Sequence, residues 1–590
     1  MTVCEYIADF LEKKGVKDIF CVDGSAAAGI IVAVAKNKRL RYYCPLHEQS
    51  GSFAVDGYFK ASRKVSAMIA TSGPGGQNLI NGIAASYYDS CPAIYITGQV
   101  NSRFLKPNDK IRQLGFQEND IVSMVKPVTK YAVMLKDIEQ VSYEFEKAFY
   151  LATTGRPGPV LIDVPMDIQK MTMPTTLKRH NPPHQPEFNH DKELSICFDM
   201  LVKAKRPAIL LGGGVWLADA VKDCRKLADK LKTVPVFVTW NMIDYVDPEH
   251  YGGKIGTFGG DGRNFGIQNC DFLLSIGSRI SGRITGGILN AFARAAKKVI
   301  VDIDGEELKY QQAKGDLNIC CDAKVFVNKF LNIIDKKNIP DYSWWLDKVK
   351  SWRLSYPVVR DEYRKTKNYI NPYVFVKVLS GFMKKGDVLV HEAGGNCVVT
   401  SQAFEAKLNQ RVFSNNGNSS LGYALPAAIG ACIATNKKVI SIMGDGGINF
   451  NIQELQMLKS YNLPVKVLIF NNRSFGITKL YRDTNFNSEY AGVDGKHGLI
   501  FPDLIKISKA YGIKAVKIKN YCDLNNKINY VLDSNEPVVC DVNMAGYYDY
   551  QPRLGWRSPI EDQYPFLDRK EFLENMIIEP ISGWENPVYP

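Results

Sequence analysis

Two short polar segments, Gly444-Asp445-Gly446-Gly447 and Asn471-Asn472, each follow an apolar run that is typical of a buried strand. Because the carboxyl ends of parallel strands meet at one edge of a sheet, we expect Asp445 and Asn472 to lie close together there. A carboxylate and an amide oxygen are hard ligands that suit Mg²⁺, which commonly bridges to phosphate groups. The sequence therefore predicts a site for magnesium and phosphate at this edge.

Glycine residues around the aspartate favour the phosphate part of this prediction. Gly444, Gly446 and Gly447 would let backbone N–H groups approach phosphate oxygens, and a helix expected to begin near Asn451 would present its positive end. Taken alone, each segment is more often a simple turn or loop. Only their occurrence together, each after a buried strand, makes a ligand site the better interpretation.

The interval between Asp445 and Asn472 resembles the signature of thiamine diphosphate-dependent enzymes. The resemblance implies that the cofactor is held through Mg²⁺. It implies three metal ligands: Asp445, the side chain of Asn472 and a main-chain carbonyl near Ser474.

A glutamate in the first part of the chain stands where this family has its activating residue. His47-Glu48-Gln49 follows the second expected strand. In the family this glutamate pairs with N1′ of the aminopyrimidine, so that the cofactor's own amino group can act as a base. A lone Glu here would in most proteins be a solvated surface carboxylate, whereas a buried one can share a proton with a ring nitrogen. We assign Glu48 this catalytic role.

A glycine-rich turn, residues 71–78, follows the next strand and opens a helix. It resembles the family's turn that packs against the cofactor ring across a subunit boundary, which makes Gly73, Pro74 and Asn78 candidate cofactor-binding residues. In this family the glutamate comes from one chain and the metal motif from its neighbour. The resemblance therefore implies a homodimer or a homotetramer with shared active sites.

Collinear matches indicate one branch of the family. Over about residues 1–545 the chain resembles the large catalytic subunit of acetohydroxyacid (acetolactate) synthase. The matching stretches, besides those already quoted, are residues 89–92, 96–100, 115–118, 156–160, 425–430 and 453–455.

The resemblance adds further candidates around the cofactor. Leu421 stands where synthases carry Met and would support the bent cofactor, with an ordinary core role as the alternative. Asn396 and Cys397 occupy the place of a polar pair near the diphosphate, where Cys instead of His puts one hydrogen bond in doubt. Gln117 would line the reaction space as a catalytic residue, and Ser419 is a further cofactor-binding candidate.

The middle of the chain resembles the FAD-binding set of the synthases. Gly212-Gly213-Gly214 follows a strand, Arg279 lies in a later loop and Asp302 ends another strand. The glycine run alone is more often a structural turn, and Ser281-Gly282 replaces the acidic pair that usually follows the arginine. If FAD binds here, the resemblance implies a structural rather than a redox role.

The leading hypothesis is a carboligase that decarboxylates a 2-oxo acid, with pyruvate as donor, and transfers the two-carbon unit to an acceptor carbonyl. Tyr481, next to Arg482, replaces a synthase Trp that favours 2-oxobutyrate, and the tail with residues 555–562 resembles proteins of surface-polysaccharide gene sets. The acceptor is therefore a second 2-oxo acid or, alternatively, a nucleotide-linked keto-sugar, which would give a branched-chain sugar. A simple 2-oxo acid decarboxylase or oxidase and an inactive cofactor-binding relative remain as further alternatives.

Strands that alternate with helices predict the elements that hold these residues. We expect three consecutive parallel-sheet α/β domains: a pyrimidine-binding domain at residues 1–172, a central Rossmann-like FAD domain at 191–340 and a diphosphate-binding domain at 365–545. Residues 175–190, which include Pro186, are expected to form a linker. The tail, residues 546–590, lacks clear periodicity and is expected to lie over the surface.

Composition limits the class of protein. The chain has 590 residues, of which 45% are hydrophobic and 23% charged, which is typical of a globular multidomain protein. The net charge of +13 is spread along the chain, which argues against a nucleic-acid partner, and no apolar run is long enough for a membrane span. Thirteen Cys without metal-type spacing and the lack of a leader-like amino terminus predict a cytoplasmic protein.

Overall fold

The computed structural model describes residues 1–108, 110–183, 189–555 and 558–587. Pro186 of the expected linker and Trp556 and Arg557 of the tail lie outside the described residues. The chain forms three six-stranded parallel sheets, which confirms the predicted α/β fold of three consecutive domains. The exact domain boundaries stay predictions. No helix of the described residues is long and apolar enough to cross a membrane.

The first sheet has the strand order β2-β1-β3-β4-β6-β5, with parallel pairing throughout. Its inner strands are buried along their whole length, as expected for a parallel sheet covered by helices on both faces. The strands are β1 Asp18–Cys21, β2 Arg41–Tyr43, β3 Ala67–Ala70, β4 Ala93–Gln99, β5 Tyr131–Met134 and β6 Pro159–Pro165. The helices are α1 Val3–Lys13, α2 Ala28–Lys36, α3 Glu48–Ser62, α4 Pro74–Asn78, α5 Ile80–Tyr88, α6 Ile121–Val125, α7 Val141–Thr153 and α8 Met166–Lys170.

The central sheet has the order β12-β11-β10-β7-β8-β9 and is also parallel. Its strands are β7 Pro207–Leu211, β8 Val236–Val238, β9 Tyr251–Lys254, β10 Phe272–Ile276, β11 Lys297–Asp302 and β12 Leu317–Cys320. Its helices are α9 Asp191–Lys203, α10 Gly213–Leu217, α11 Val221–Leu231, α12 Phe265–Gln268, α13 Gly282–Thr285, α14 Gly305–Tyr310, α15 Ala323–Ile334 and α16 Ser343–Ser355.

The third sheet has the order β14-β13-β15-β16-β18-β17, so β15 and β16, which lead into the two polar segments, are neighbours. Its strands are β13 Val388–His391, β14 Arg411–Phe413, β15 Val439–Gly444, β16 Val465–Asn471, β17 Lys514–Ile518 and β18 Val538–Asn543. Its helices are α17 Pro372–Phe382, α18 Gly395–Ala403, α19 Ala424–Thr435, α20 Leu455–Ser460, α21 Gly476–Asn485, α22 Leu504–Ala510 and α23 Tyr521–Asp533.

Helices α3 and α19 cross at glycines and join the first and third domains. A Cβ on Gly57 would lie 2.2 Å from the carbonyl oxygen of Ala427, and one on Gly430 would lie 1.9 Å from that of Ala54. Only glycine allows such close approach of two backbones. One continuous hydrophobic core therefore contains side chains of both domains.

The tail is only partly a surface wrapping: most of residues 564–587 are exposed or half-buried, but residues 560–563 are buried, so the prediction was wrong for that part. The tail contains β19 Arg553–Leu554, β20 Gln563–Tyr564 and α24 Arg569–Glu574. Ile560 and Phe572 are buried in the hydrophobic core of the central domain. The guanidinium of Arg294 pairs with the buried carboxylate of Glu561 at 2.8 Å. Apolar residues that are widely spaced along the tail thus pack into the central domain. Their spacing forms no periodic pattern, so the sequence analysis could not recognise them.

Candidate active site

Asp445 lies just after β15 and is only 2% exposed. Its Oδ2 accepts a hydrogen bond from the backbone N–H of Arg473 at 2.6 Å, and its Oδ1 accepts one from that of Gly446 at 2.9 Å. Burial raises the pKa of Asp445 to about 7, because a site shielded from water disfavours the charged form. A cation beside this carboxylate would offset that cost.

Asn472 lies just after β16, on the loop that reaches Asp445. Its side-chain nitrogen donates to the carbonyl of Tyr547 at 2.8 Å, and its Oδ1 accepts from the N–H of Ser474 at 3.3 Å. The side-chain nitrogen thus donates to the protein, and the amide oxygen, which accepts one bond, keeps a second lone pair for a cation. Arg473 adopts a left-handed backbone conformation with φ of 56°, which is uncommon outside glycine.

A cavity of about 130 Å³, here called the small pocket, lies between these loops. The first turns of α18 and α21 also line it, at Gly395 and Gly476, and such turns present free N–H groups and positive partial charge to an anion. The structure therefore brings together the residues predicted for the diphosphate and the metal, while their roles stay predictions. Those that line the small pocket are Asn396, Leu421, Gly444, Asp445, Gly446, Gly447, Asn472 and Ser474.

A helical segment begins directly after Asn451, as expected, but its first turn is 3-10 and the α-helix α20 begins at Leu455. Residues 447–450 and 452–454 form 3-10 turns. The side chain of Asn451 donates to the carbonyl of Gly422 at 2.8 Å and accepts from the hydroxyl of Ser50 at 2.9 Å. These bonds hold Asn451 against other segments, and the helix ends that line the pocket are those of α18 and α21.

The donor set around the small pocket fits a hard divalent cation. Octahedral Mg²⁺ takes oxygen ligands and usually keeps some from phosphate or water, so Asp445 and Asn472 are sufficient protein side chains. In the described parts of the chain, no group of three or more His, Cys, Asp or Glu side chains is placed to hold a metal. A Cβ on Gly447 would lie 1.9 Å from Oε2 of Glu392, so only glycine lets this loop lie so close to the strand end.

Several lining residues were missed by the sequence analysis. Glu392 is fully buried behind the glycine loop, and burial raises the pKa of its carboxyl to about 8. A signal was present for α18, because only two residues separate Gly394-Gly395 from the end of β13. No signal marked the tail residues. The missed residues that line the small pocket include Glu392, Gly395, Ile477, Thr478, Tyr547 and Tyr550.

The residues predicted to act on the cofactor ring form a second group, in the first domain. Glu48 is the first residue of α3 and is 9% exposed, and its Oε2 accepts a hydrogen bond from the Asn78 side chain at 3.0 Å. Pro74 opens α4, and a Cβ on Gly73 would lie 3.0 Å from the Cβ of Gln117. None of these residues is among those that line the small pocket. Within one chain the two groups therefore do not line a common cavity.

A larger cavity of about 840 Å³, here called the large cavity, lies where the three domains meet. Gly212 lies behind its wall, since a Cβ there would meet the carbonyl of Gly277 at 2.2 Å. The two cavities meet at a junction whose residues line both: Ala393, Gly394, Leu421, Ile477 and Thr478. The predicted residues in the wall of the large cavity are Gly213, Gly214, Arg279, Asp302, Cys397, Ser419 and Leu421.

Two arginines in the wall of the large cavity have no anionic partner among the described residues, although the guanidinium of Arg283 lies 5.8 Å from the ring centroid of Trp240. Arg156 there pairs with Asp304 at 3.0 Å, whereas the side chains of Arg279 and Arg283 form no hydrogen bond or ion pair with any described residue. Between them, the fully buried Ile280 has φ of 46°, which is strained for a β-branched residue. Strain of this kind, about 1–3 kcal/mol, is typical of ligand-binding loops.

The predicted acceptor-side residue, Tyr481, lies on α21 with 58% of its surface exposed. Its ring packs against Phe486 at 5.9 Å between centroids. Tyr481 lines neither cavity within this chain. Its role in acceptor choice stays a prediction.

Three sequence families match the chain in the order of its three sheets. They are "Thiamine pyrophosphate enzyme, N-terminal TPP binding domain" at residues 1–124, "Thiamine pyrophosphate enzyme, central domain" at 194–330 and "Thiamine pyrophosphate enzyme, C-terminal TPP binding domain" at 392–542. The last match includes Asp445 and Asn472, and the first includes Glu48.

Relatives of similar length support the same assignment. The chain is 33% identical over 559 residues to the probable acetolactate synthase large subunit of Methanocaldococcus jannaschii, with 92% of each chain covered. It is 31% identical over 564 residues to the chloroplastic acetolactate synthase of Arabidopsis thaliana, covering 91% of this chain and 80% of the plant protein. The chain therefore belongs to the thiamine diphosphate-dependent enzymes, in the branch of the acetolactate synthase large subunits.

Proposed function

We propose that the protein decarboxylates pyruvate and transfers the two-carbon unit to an acceptor carbonyl. The observation that carries this proposal is the junction of the two cavities at Leu421, Ile477 and Thr478. A cofactor anchored at Asp445 would face a space of about 840 Å³, which is larger than pyruvate alone requires. Simple decarboxylation or oxidation needs no second organic substrate, and the similarity to acetolactate synthase large subunits favours carboligation.

The chain's own residues would hold the cofactor at the small pocket. Asp445, the side chain of Asn472 and a main-chain carbonyl near Ser474 would bind Mg²⁺, and the first turns of α18 and α21 would donate N–H groups to the diphosphate. When bound, thiamine diphosphate supplies the carbon acid that attacks the 2-oxo group and accepts the electrons released with carbon dioxide. Leu421 would support the cofactor from the junction.

Glu48 would hold a proton at N1′ of the aminopyrimidine, with Asn78 fixing the orientation of its carboxylate. Because Glu48 and Asp445 line no common cavity within one chain, we propose that one subunit supplies Glu48 and its neighbour supplies Asp445. The minimal active assembly is then a homodimer, and a homotetramer would be a pair of such dimers. Gln117, beside the glycine turn, would line the reaction space with Glu48.

The large cavity has two candidate occupants. FAD would be held by Gly213, Gly214, Arg279 and Asp302, in a structural role. The second candidate is the acceptor itself, in the form of a nucleotide-linked keto-sugar. The unpaired Arg279 and Arg283 favour a ligand with a diphosphate in either case, because guanidinium groups bind phosphates through paired hydrogen bonds. The two ligands would compete for one cavity.

Product analysis tests the proposed reaction. The purified protein is incubated with ¹³C-labelled pyruvate, thiamine diphosphate and Mg²⁺, with and without a nucleotide-linked keto-sugar, and products are identified by mass and NMR. Rapid formation of acetolactate from pyruvate alone supports a 2-oxo acid acceptor. Slow turnover that accelerates with the keto-sugar supports the sugar acceptor. Acetaldehyde, acetate or acetyl phosphate as the sole product would contradict carboligation.

A further inference from the structure

The segment that follows β18 turns back over the small pocket. The N–H of Met544 bonds to the last residue of β16 at 2.9 Å, and Asn472 donates to the carbonyl of Tyr547 at 2.8 Å. Farther along, the N–H of Gln551 donates to the hydroxyl of Tyr373 at 2.9 Å. The segment 544–551 is therefore fixed at both ends against the third domain.

Tyr550, near the end of this segment, places its hydroxyl between the first turns of α18 and α21. A Cβ on Gly395 would lie 2.0 Å from the hydroxyl oxygen, and one on Gly476 would lie 2.4 Å from it. Both helices therefore need glycine at the position where the tyrosine enters. The phenol ring packs edge-on against Tyr547, with 6.1 Å between centroids.

The Tyr550 hydroxyl has no protein partner. The residue is 5% exposed and lines the small pocket, and its oxygen has no hydrogen bond to any described residue. The oxygen is not among the polar atoms sealed from solvent, so a ligand or water in the pocket can satisfy it. Burial also raises the pKa of the phenol, so the oxygen keeps its proton at neutral pH and can donate.

We propose that Tyr550 binds the cofactor by donating a hydrogen bond from its hydroxyl to a phosphate oxygen of thiamine diphosphate. This rests on the proposed placement of the diphosphate in the small pocket. The hydroxyl stands beside the same helix turns that would donate their N–H groups, so a phosphate there is within reach of all three donors. The tail thus supplies a cofactor-binding residue, although it follows the last strand of the domain.

The experiment compares Tyr550→Phe with the wild-type protein. Dissociation constants for thiamine diphosphate and for inorganic pyrophosphate, each with excess Mg²⁺, are measured by titration calorimetry. A hydrogen bond to a charged acceptor predicts that both ligands bind about 10- to 100-fold more weakly. The melting temperature of the ligand-free variant should not fall, because its hydroxyl had no partner to lose. Tyr356→Phe is the matched control, since that hydroxyl donates to Glu571 far from the pocket.

Unchanged affinity for both ligands would overturn the proposal. Weaker binding of thiamine diphosphate with unchanged binding of pyrophosphate would also overturn it, because the contact would then lie on the ring part of the cofactor. Loss of binding of both ligands together with a lower melting temperature would overturn it too. Asp445→Ala separates this proposal from the placement on which it rests. If Asp445→Ala weakens the binding of both ligands and Tyr550→Phe weakens the binding of neither, only the role of Tyr550 fails. If Asp445→Ala leaves the binding of both ligands unchanged, the placement of the diphosphate in the small pocket fails.

Discussion

Replacing Glu48 with Gln should abolish turnover while leaving the cofactor bound. The Asn78 amide donates to one carboxylate oxygen of Glu48 at 3.0 Å, so the glutamine must turn its own oxygen toward Asn78. The remaining terminal atom is then an NH₂ group, which cannot take up the N1′ proton. A general acid–base group contributes about 10²- to 10⁴-fold to rate, equivalent to about 2.7–5.4 kcal/mol of the barrier.

Exchange of the cofactor's C2 proton with deuterium, followed by NMR after acid quench, measures this step apart from later chemistry. The variant should exchange at least 100-fold more slowly than wild type, with an unchanged dissociation constant for thiamine diphosphate. Glu12→Gln, which alters a carboxylate that pairs with Arg39 on the surface, is the matched control and should exchange at the wild-type rate. Exchange by Glu48→Gln within threefold of wild type would refute the assignment.

Three other changes have defined outcomes. Gly476→Ala places a Cβ 2.4 Å from the Tyr550 hydroxyl and should weaken thiamine diphosphate binding by about tenfold or more. Gly495→Ala, which has open space around its Cβ, is the control and should bind the cofactor as the wild type does. Equal affinities of the two variants in titration would contradict this. Lys60→Met leaves two buried carboxylates without their cation and should lower the free energy of unfolding in urea by about 3–5 kcal/mol; an unchanged midpoint would contradict it. Burial raises the pKa of Asp163 from 3.8 to about 7, so the native state holds a proton that the unfolded state releases, and stability is lost as pH rises through this window. The melting temperature of Asp163→Asn minus that of the wild type should therefore increase from pH 4 to pH 7. A difference that does not change with pH would contradict the raised pKa of Asp163.

The sequence predicted the three sheets because each buried parallel strand is a short apolar run that needs no distant partner to be recognised. It also predicted that Asp445 and Asn472 would lie at one edge, since β15 and β16 are neighbours whose carboxyl ends coincide. Spacing along the chain was enough here, because the two loops belong to adjacent strands.

Contacts between distant segments could not be predicted in this way. The burial of Ile560 in the central domain and the entry of Tyr550 between two glycines depend on tertiary packing, and neither leaves a periodic pattern. The bonds of the Asn451 side chain are of the same kind, because they reach segments far away in sequence.

The central claim is that Glu48 of one subunit and Asp445 of another build a single thiamine diphosphate site. Its most direct test mixes two variants that are each inactive alone, Glu48→Gln and Asp445→Ala, under conditions in which subunits exchange. Half of the randomly formed dimers are hybrids and each hybrid holds one intact site, so about one quarter of the wild-type rate of pyruvate consumption should return. Hybrid dimers that are detected by native mass spectrometry and remain inactive would contradict the shared site.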